Sequence, residues 1–171
     1  MIFRGRVWRH VPPGAAPLHI GKLFKYSAGR WNRRGEYACL YTALTREGAL
    51  GELAKQRNLS GTAVGDRDLV SIDVGLLESF LDITDAKAYA SLAISAGEIP
   101  NESLLTSDTK AALEHCHRLA DQARSQGYTG LKVPSAAIRG EVNLVIYFDV
   151  VAPKHLEIDD GPDRERVGTI S

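Results

Sequence analysis

The sequence predicts a single α+β domain with a mixed β-sheet and flanking helices. Strand-like and helix-like segments follow one another irregularly, and no repeat or interdomain linker separates them. A length of 171 residues suits one domain that can bury a sizeable core. A hydrophobic fraction of 44% and a charged fraction of 25% are ordinary for a globular domain.

Five strands and three helices account for most of the chain. In order, they are strands at 4–11 and 36–43, a helix at 46–57, a strand at 68–75, helices at 85–95 and 107–126, and strands at 130–135 and 141–150. The strands are apolar or alternate apolar and polar residues, whereas the helices repeat apolar residues every three or four positions. Residues 12–35 are rich in glycine and proline and are predicted to form an irregular loop.

Local signals mark the ends of several elements. Thr45 is a candidate N-cap of the first helix, and Thr106 or Ser107 is a candidate N-cap of the last helix. Residues 152–171 are polar and contain two prolines, so a strand remnant followed by disorder is expected there. The domain is therefore predicted to cover 1–151, with 152–171 as a C-terminal tail.

Membrane and secreted classes are not indicated. No run of about 18 apolar residues is present that could form a transmembrane helix, and the basic N-terminus lacks the apolar region of a signal peptide. Cys39 and Cys116 lie in apolar or helical contexts and are expected to be reduced core residues. We therefore expect a cytoplasmic protein with no membrane partner.

The charge is unevenly distributed, although the formal net charge is zero. Residues 1–35 contain six arginines, two lysines and no acidic residue, so they carry +8 and residues 36–171 carry −8. A basic segment of this kind indicates a site for phosphate, nucleic acid or an acidic partner protein. The alternative is a solvated surface that the acidic remainder balances. The neutral overall charge argues against direct nucleic-acid binding.

Glu52 is the candidate residue for chemistry. It lies on the first predicted helix, where Gly48, four residues earlier, shares its face. Gly51 costs this helix roughly 1 kcal/mol relative to alanine. Two glycines in so short a helix suggest that a ligand or another backbone approaches closely, with room above the carboxylate. The alternative is a solvated glutamate beside glycines that serve only packing.

Four other residues are candidates for ligand binding. Arg30 follows Gly29 in the irregular loop, and an arginine fork suits phosphate or carboxylate. Arg9 on the first strand could serve the same purpose. Tyr41 ends an apolar strand and could stack on a flat heterocycle. Ser135 lacks the G-x-S-x-G context of a hydrolase nucleophile, so it could instead orient a substrate or another side chain.

Metal-binding and nucleotide-loop motifs are not indicated. His115 and His117 are two positions apart on a predicted helix, so their rings do not face the same way and no metal site is predicted. Neither a P-loop nor a G-x-G-x-x-G motif is present.

Together, these positions resemble the RES domain, a family named for arginine, glutamate and serine. The ordered segments that carry the resemblance are VWRHVPP with Arg9, GRWNRRG with Arg30, LYTA with Tyr41, ALGELA with Glu52, VPS with Ser135 and VNL with Asn143. They span nearly the whole chain. Arg4 and Arg6 are alternatives to Arg9 as the first arginine, and Ala28 stands where the family usually has a glycine.

The resemblance implies a fold similar to ADP-ribosyltransferases and a role as the toxin of a bacterial toxin–antitoxin pair. NAD would be the substrate, with no additional cofactor, and the enzyme would break the bond between nicotinamide and ribose. The ADP-ribose would pass to phosphate or water, or alternatively to a protein. The partner would be an Xre-type DNA-binding antitoxin that blocks the site.

The resemblance also assigns roles to individual residues. Glu52, Arg30 and Ser135 would form the catalytic set, in which Glu52 holds a ribose hydroxyl and stabilises an oxocarbenium-like ribose. The set expected to bind NAD comprises Arg9, Arg30, Tyr41 and Asn143. The remaining alternative is a non-catalytic module that binds an acidic partner or RNA through residues 1–35.

Overall fold

The computed structural model describes residues 1–19, 29–59, 64–150 and 153–169. In chain order, its strands are β1 (Ile2–Val11), β2 (Cys39–Ala43), β3 (Arg67–Glu78), β4 (Phe80–Asp82), β5 (Gly130–Pro134), β6 (Val142–Tyr147) and β7 (Leu156–Val167). Its helices are α1 (Arg46–Leu59), α2 (Ala86–Ser95), α3 (Ser103–Thr106) and α4 (Lys110–Ser125).

The strands form one mixed sheet with the order β4-β5-β6-β2-β1-β3-β7. β4 and β5 pair in parallel, and the other neighbours among these strands are antiparallel. β1 pairs with β3 along nearly its whole length, whereas β1 and β2 share a single registered pair, Trp8↔Ala43. The centre of the sheet is therefore a short junction between two regions with long antiparallel ladders.

The largest core lies on the sheet face that α2, α3 and α4 cover. It draws buried residues from these helices and from β2, β5 and β6, among them Tyr89, Leu105, Leu119, Leu131 and Tyr147. The opposite face carries a second cluster, to which β1, β2, β3, β4 and β6 contribute. α1 packs on β1 and β2 beside a small third cluster near the central junction. α1 is thereby fixed next to the point where β1 and β2 meet.

The N-caps agree with the sequence for one helix and differ for another. Thr45 caps α1 as predicted, since its Oγ1 accepts a backbone N–H from the first turn at 2.9 Å. The helix expected at 107–126 is observed as α4, which begins at Lys110 and is capped by Thr109, and α3 precedes it as a separate short helix that was not predicted. The prediction of Thr106 or Ser107 as the cap was wrong. Neighbouring residues of the same capping type cannot be ranked from local sequence alone.

The segment 152–171, expected to be a tail, contributes β7 to the sheet, so the expectation of disorder was wrong for 156–167. β7 pairs with β3 along its length. Most of its side chains are exposed, and it lacks apolar alternation because it lies at the sheet edge. Its order comes from the backbone ladder and from Arg164 and Arg166, which both bind the buried carboxylate of Asp68. β4 was also missed, because three residues are too few to show a period.

The two cysteines are buried and not joined by a disulfide, which agrees with the sequence-based expectation. Burial raises the pKa of the Cys39 thiol well above its usual range and that of Cys116 to about 11. Both thiols are therefore protonated and unreactive at neutral pH. No helix in the described ranges is long and apolar enough to cross a membrane.

Candidate active site

A cavity of about 350 Å³ opens where β1 and β2 diverge. Beyond the single pair Trp8↔Ala43, the two strands no longer pair, so His10 of β1 and Tyr41 of β2 face a gap instead of each other's backbone. α1 forms another wall of this gap. The lining residues are Trp8, Arg9, His10, Tyr41, Thr42, Ala43, Ala49, Glu52, Gln56, Arg67 and Asn143.

Glu52 is held in this cavity by two hydrogen bonds to the same oxygen. Its Oε1 accepts from Ser135 Oγ and from Asn143 Nδ2, each at 2.7 Å. Ser135 is buried, and its Oγ also accepts the backbone N–H groups of Ala137 and Ile138 at 3.0 and 3.2 Å. Since both N–H groups point at the hydroxyl oxygen, its single proton is directed at Glu52. Ser135 is therefore a positioning residue for the carboxylate.

The second carboxylate oxygen is left available. Within the described part of the chain, Oε2 of Glu52 accepts no hydrogen bond, whereas Oε1 accepts two. A carboxylate fixed through one oxygen can accept a ligand hydroxyl through the other without reorienting.

Asn143 presents a second unused acceptor at the same place. A carboxylate can only accept, so the amide must direct Nδ2 at Glu52, and this settles the orientation of Oδ1. Oδ1 is buried and has no hydrogen-bond partner among the described residues. An unsatisfied buried acceptor costs about 1–3 kcal/mol. Its retention beside the cavity favours a ligand that carries a hydroxyl or amide donor.

Part of the cavity wall is cationic. Arg9 and Arg67 line it, and Arg57 lies close behind them. Across the described ranges, no carboxylate lies within 4 Å of any of these three guanidinium groups; the acids that form ion pairs are bonded elsewhere. Among the residues that the structure describes, Arg9 makes one hydrogen bond, from Nη1 to the Pro17 carbonyl at 3.1 Å, and its Nε has no partner.

The burial of Arg9 and Arg67 lowers the pKa values of both arginines. Desolvation, followed by the charge of Arg67, lowers the pKa of Arg9 to about 10, and burial also lowers the pKa of Arg67. Both guanidiniums are still charged at neutral pH, but at a cost to the folded state. A bound anion would remove that cost, so this wall suits a polyanionic ligand.

His10 lies between these arginines and is neutral. Burial, then the charges of Arg67, Arg9 and Arg57, lower its pKa to about 4. Arg67 Nε donates to His10 Nδ1 at 3.3 Å, so the imidazole carries its proton on Nε2. The cavity therefore contains a neutral hydrogen-bond donor amid fixed positive charges.

The GRWN turn is held by Tyr41. The Tyr41 hydroxyl donates to Asn32 Oδ1 at 2.6 Å and accepts the Trp31 N–H at 2.9 Å. Gly29 N–H donates to the same Asn32 oxygen at 3.0 Å, and a Cβ at Gly29 would collide with the Tyr41 hydroxyl. Trp31 is buried in the core. The motif is therefore a packed turn that places Arg30, while the ring of Tyr41 lines the cavity.

Arg30 does not line the cavity in this structure. Its Nη1 donates to the Ser107 carbonyl at 2.7 Å and its Nη2 to Asp108 at 2.6 Å. Of the alternatives for the first arginine, Arg6 is exposed and paired with acids on β3 and β7, whereas Arg9 reaches the cavity. The structure thus brings together the predicted residues Glu52, Ser135, Asn143, Tyr41 and Arg9 and leaves Arg30 to one side.

The two glycines of α1 do not provide ligand space, contrary to expectation. A Cβ at Gly48 would lie 3.0 Å from Glu141 Oε2 and 3.1 Å from Ala43 Cβ. A Cβ at Gly51 would collide with the Ile138 side chain. The glycines allow α1 to pack closely on β2 and on the segment that follows Ser135, which brings Glu52 within reach of its partners.

His115 and His117 have separate partners. The buried His115 contacts Tyr89 Oη and Glu98 through its two nitrogens, each at 2.9 Å. His117 Nε2 lies 2.8 Å from the Gly29 carbonyl. In the portion of the chain described by the structure, no group of three metal-binding side chains converges.

Sequence reasoning missed His10, Arg67, Trp8 and Gln56 as cavity residues. Alternation along β1 could have suggested His10, which is two positions beyond Trp8 on the same face. Arg67 opens a strand and carries no local signal. It reaches the cavity only because β3 pairs with β1 in the observed register.

Comparison with known proteins agrees with this architecture. A family model described as the RES domain matches residues 6–167. A crystal structure of the M. tuberculosis MbcT–MbcA toxin–antitoxin complex matches with a TM-score of 0.73 and 18% identity, covering 98% of this chain and 85% of that chain. No curated protein matches the sequence significantly. The α+β fold with a mixed sheet expected from the sequence is confirmed, and the chain belongs to the RES domain family.

Proposed function

We propose that this protein is the toxin of a toxin–antitoxin pair and that it cleaves NAD at the nicotinamide–ribose bond. RES family membership and the structural similarity to a toxin–antitoxin complex support the toxin role. The observation that carries the chemistry is the cavity itself. Glu52, fixed by Ser135 and Asn143, shares it with two guanidinium groups that have no carboxylate partner in the described ranges.

The cavity suits the parts of NAD. The pyrophosphate is a dianion, and the largely buried Arg9 and the half-buried Arg67 supply positive charge for it. The rings of Trp8 and Tyr41 offer faces for a flat heterocycle. The free oxygen of Glu52 is an acceptor for a ribose hydroxyl.

Glu52 would act by electrostatic stabilisation. As the bond between C1′ and the nicotinamide nitrogen breaks, its electron pair leaves on nicotinamide and positive charge develops on the ribose. A carboxylate already held in place stabilises that charge without reorganising. A new C1′–O bond then forms to water or phosphate, which loses a proton to solvent. Because NAD is an intracellular metabolite, we propose action in the cytoplasm.

The proposed partner is an Xre-type antitoxin. The neighbouring structure is of a toxin bound to its antitoxin. The +8 charge of residues 1–35 favours an acidic surface or segment on the partner, which would cover the cationic wall near Arg9.

The first test is product analysis. The protein is incubated with NAD, with and without inorganic phosphate, and the small molecules and the intact protein are analysed by mass spectrometry. Free nicotinamide with ADP-ribose or its phosphate ester supports the proposal. An ADP-ribose adduct on a protein instead identifies protein ADP-ribosylation. Intact NAD under all conditions contradicts an NAD-cleaving role.

Glu52→Gln is the decisive variant. It preserves size but removes the charge, so turnover should fall about 100- to 1,000-fold, the scale of losing one preorganised transition-state contact. Glu47→Gln is the matched control, since Glu47 lies on the same helix but is exposed and outside the cavity. Turnover of Glu52→Gln near that of Glu47→Gln would refute the assignment of Glu52.

A further inference from the structure

Arg30 and Lys55 form a second cationic pair beside the cavity. One carboxylate, that of Asp108, bridges them. Its Oδ1 lies 2.6 Å from Arg30 Nη2 and 2.8 Å from Lys55 Nζ, and its Oδ2 lies 2.8 Å from the same Nζ. The geometry is that of an oxyanion held between two cations.

This pair adjoins the carboxylate proposed to do the chemistry. Lys55 follows Glu52 by three positions on α1, so the two side chains are neighbours on the helix surface. Lys55 Nζ also donates to the carbonyl of Ala136 at 2.8 Å, directly after Ser135, which bonds Glu52. Lys55 is thus a neighbour of Glu52 that does not line the cavity, whereas Arg9 lines the cavity together with Glu52.

Each of the two cations also has a hydrogen bond that does not involve Asp108. Arg30 is anchored by Nη1 on the Ser107 carbonyl, and Lys55 is anchored on the Ala136 carbonyl. Their side chains are only 12% and 19% exposed, whereas that of Asp108 is 47% exposed. Asp108 lies in the short connection between α3 and the Thr109 cap of α4. Its side chain can turn into solvent without disturbing either helix.

Arg30 already belongs to the set that the family resemblance assigns to NAD; we propose that Lys55 completes an anion subsite for a phosphoryl group beside it and that Asp108 occupies this subsite until the ligand displaces it. The Asp108 carboxylate stands in for the phosphoryl oxygens. Anion binding at this subsite does not depend on NAD cleavage, and only the identity of the ligand rests on the proposed function. The ligand is either free inorganic phosphate, as the acceptor of ADP-ribose, or the pyrophosphate of the dinucleotide.

The test is calorimetric titration of inorganic phosphate into the full chain in phosphate-free buffer. Asp108→Asn removes the competing charge and keeps the shape, so phosphate should bind about five- to tenfold more tightly. Adding Lys55→Gln should cancel this gain. Glu114→Gln is the matched control, because Glu114 also bridges two cations, Arg33 and Arg118, and is 45% exposed. It should leave phosphate affinity unchanged.

A second titration separates the two ligand sources. NAD is titrated into Glu52→Gln protein with and without Asp108→Asn, so that the substrate is not consumed. A gain for phosphate alone identifies the acceptor subsite, and a gain for NAD identifies the pyrophosphate subsite. No gain for either, or an equal gain in Glu114→Gln, overturns the inference. Because both measurements report binding, their failure is distinguishable from failure of NAD cleavage.

Discussion

Arg9 is expected to stabilise ligand binding at the expense of the unliganded fold. Its guanidinium is largely buried, has one hydrogen bond to the described residues and lies near Arg67, a second, half-buried arginine. The fall of its pKa to about 10 corresponds to about 3 kcal/mol, at about 1.4 kcal/mol for each pKa unit. Loss of the hydrogen bond to Pro17 offsets about 1 kcal/mol of this. Arg9→Met should therefore raise the free energy of unfolding by about 2 kcal/mol.

The size of this effect depends on pH. A base whose pKa is lower in the folded state than in the unfolded state binds fewer protons when folded. The destabilisation by Arg9 is therefore complete below about pH 10 and is relieved as the pH rises above that value. The stability gained by Arg9→Met should be largest near neutral pH and should shrink above pH 10.

Urea unfolding of the ligand-free protein at pH 7 measures the gain. Arg6→Met is the control, since Arg6 is exposed and paired with Asp73 and Asp163, and it should change stability by less than about 1 kcal/mol. On a Glu52→Gln background, Arg9→Met should weaken NAD binding about 10- to 100-fold, the scale of a charged hydrogen bond. A clear loss of stability, or unchanged NAD affinity, would refute this role of Arg9.

Two further predictions concern the cavity and its supporting turn. Because the His10 pKa is lowered from 6.5 to about 4, stability should fall by about 3 kcal/mol as the pH drops from 6.5 to 4. In His10→Gln, the free energy of unfolding should lose this pH dependence, which urea unfolding between pH 6.5 and 4 would show. An unchanged dependence on pH would mean that His10 does not titrate as described. Gly29→Ala should cost about 1–3 kcal/mol, because its Cβ would collide with the Tyr41 hydroxyl. Gly65→Ala, with open space at its Cβ, is the neutral control, and equal melting temperatures of the two variants would contradict the packing argument.

Local sequence patterns anticipated most of the elements but not the sheet edges. β1, β2, β3, β5 and β6 have apolar or alternating patterns, since at least one face of each packs in a core. β7 was not predicted, because an exposed edge strand can be polar along its whole length. Its order depends on β3, which no property of 156–167 itself reveals.

The candidate site was likewise predicted only in part from the sequence. Glu52, Ser135 and Asn143 were recognised from ordered motifs, and the structure brings them into direct contact across separations of 83 and 91 residues. The role of the glycines in α1 was misjudged, because helix periodicity shows which residues share a face but not what packs against that face. Arg67 was missed because nothing near it in sequence distinguishes it from a surface arginine.

The sequence by itself determined the properties that depend on near neighbours and on residue order. These are the α+β class, the Thr45 cap, the buried cysteines, the uneven charge and the RES motifs. Only the tertiary structure decided where β1 and β2 separate, which arginines have no acidic partner among the described residues, and which carboxylate lies between Arg30 and Lys55. Strand register and helix packing set these contacts, and a shift of one residue in register would move every side chain of a strand to the other face.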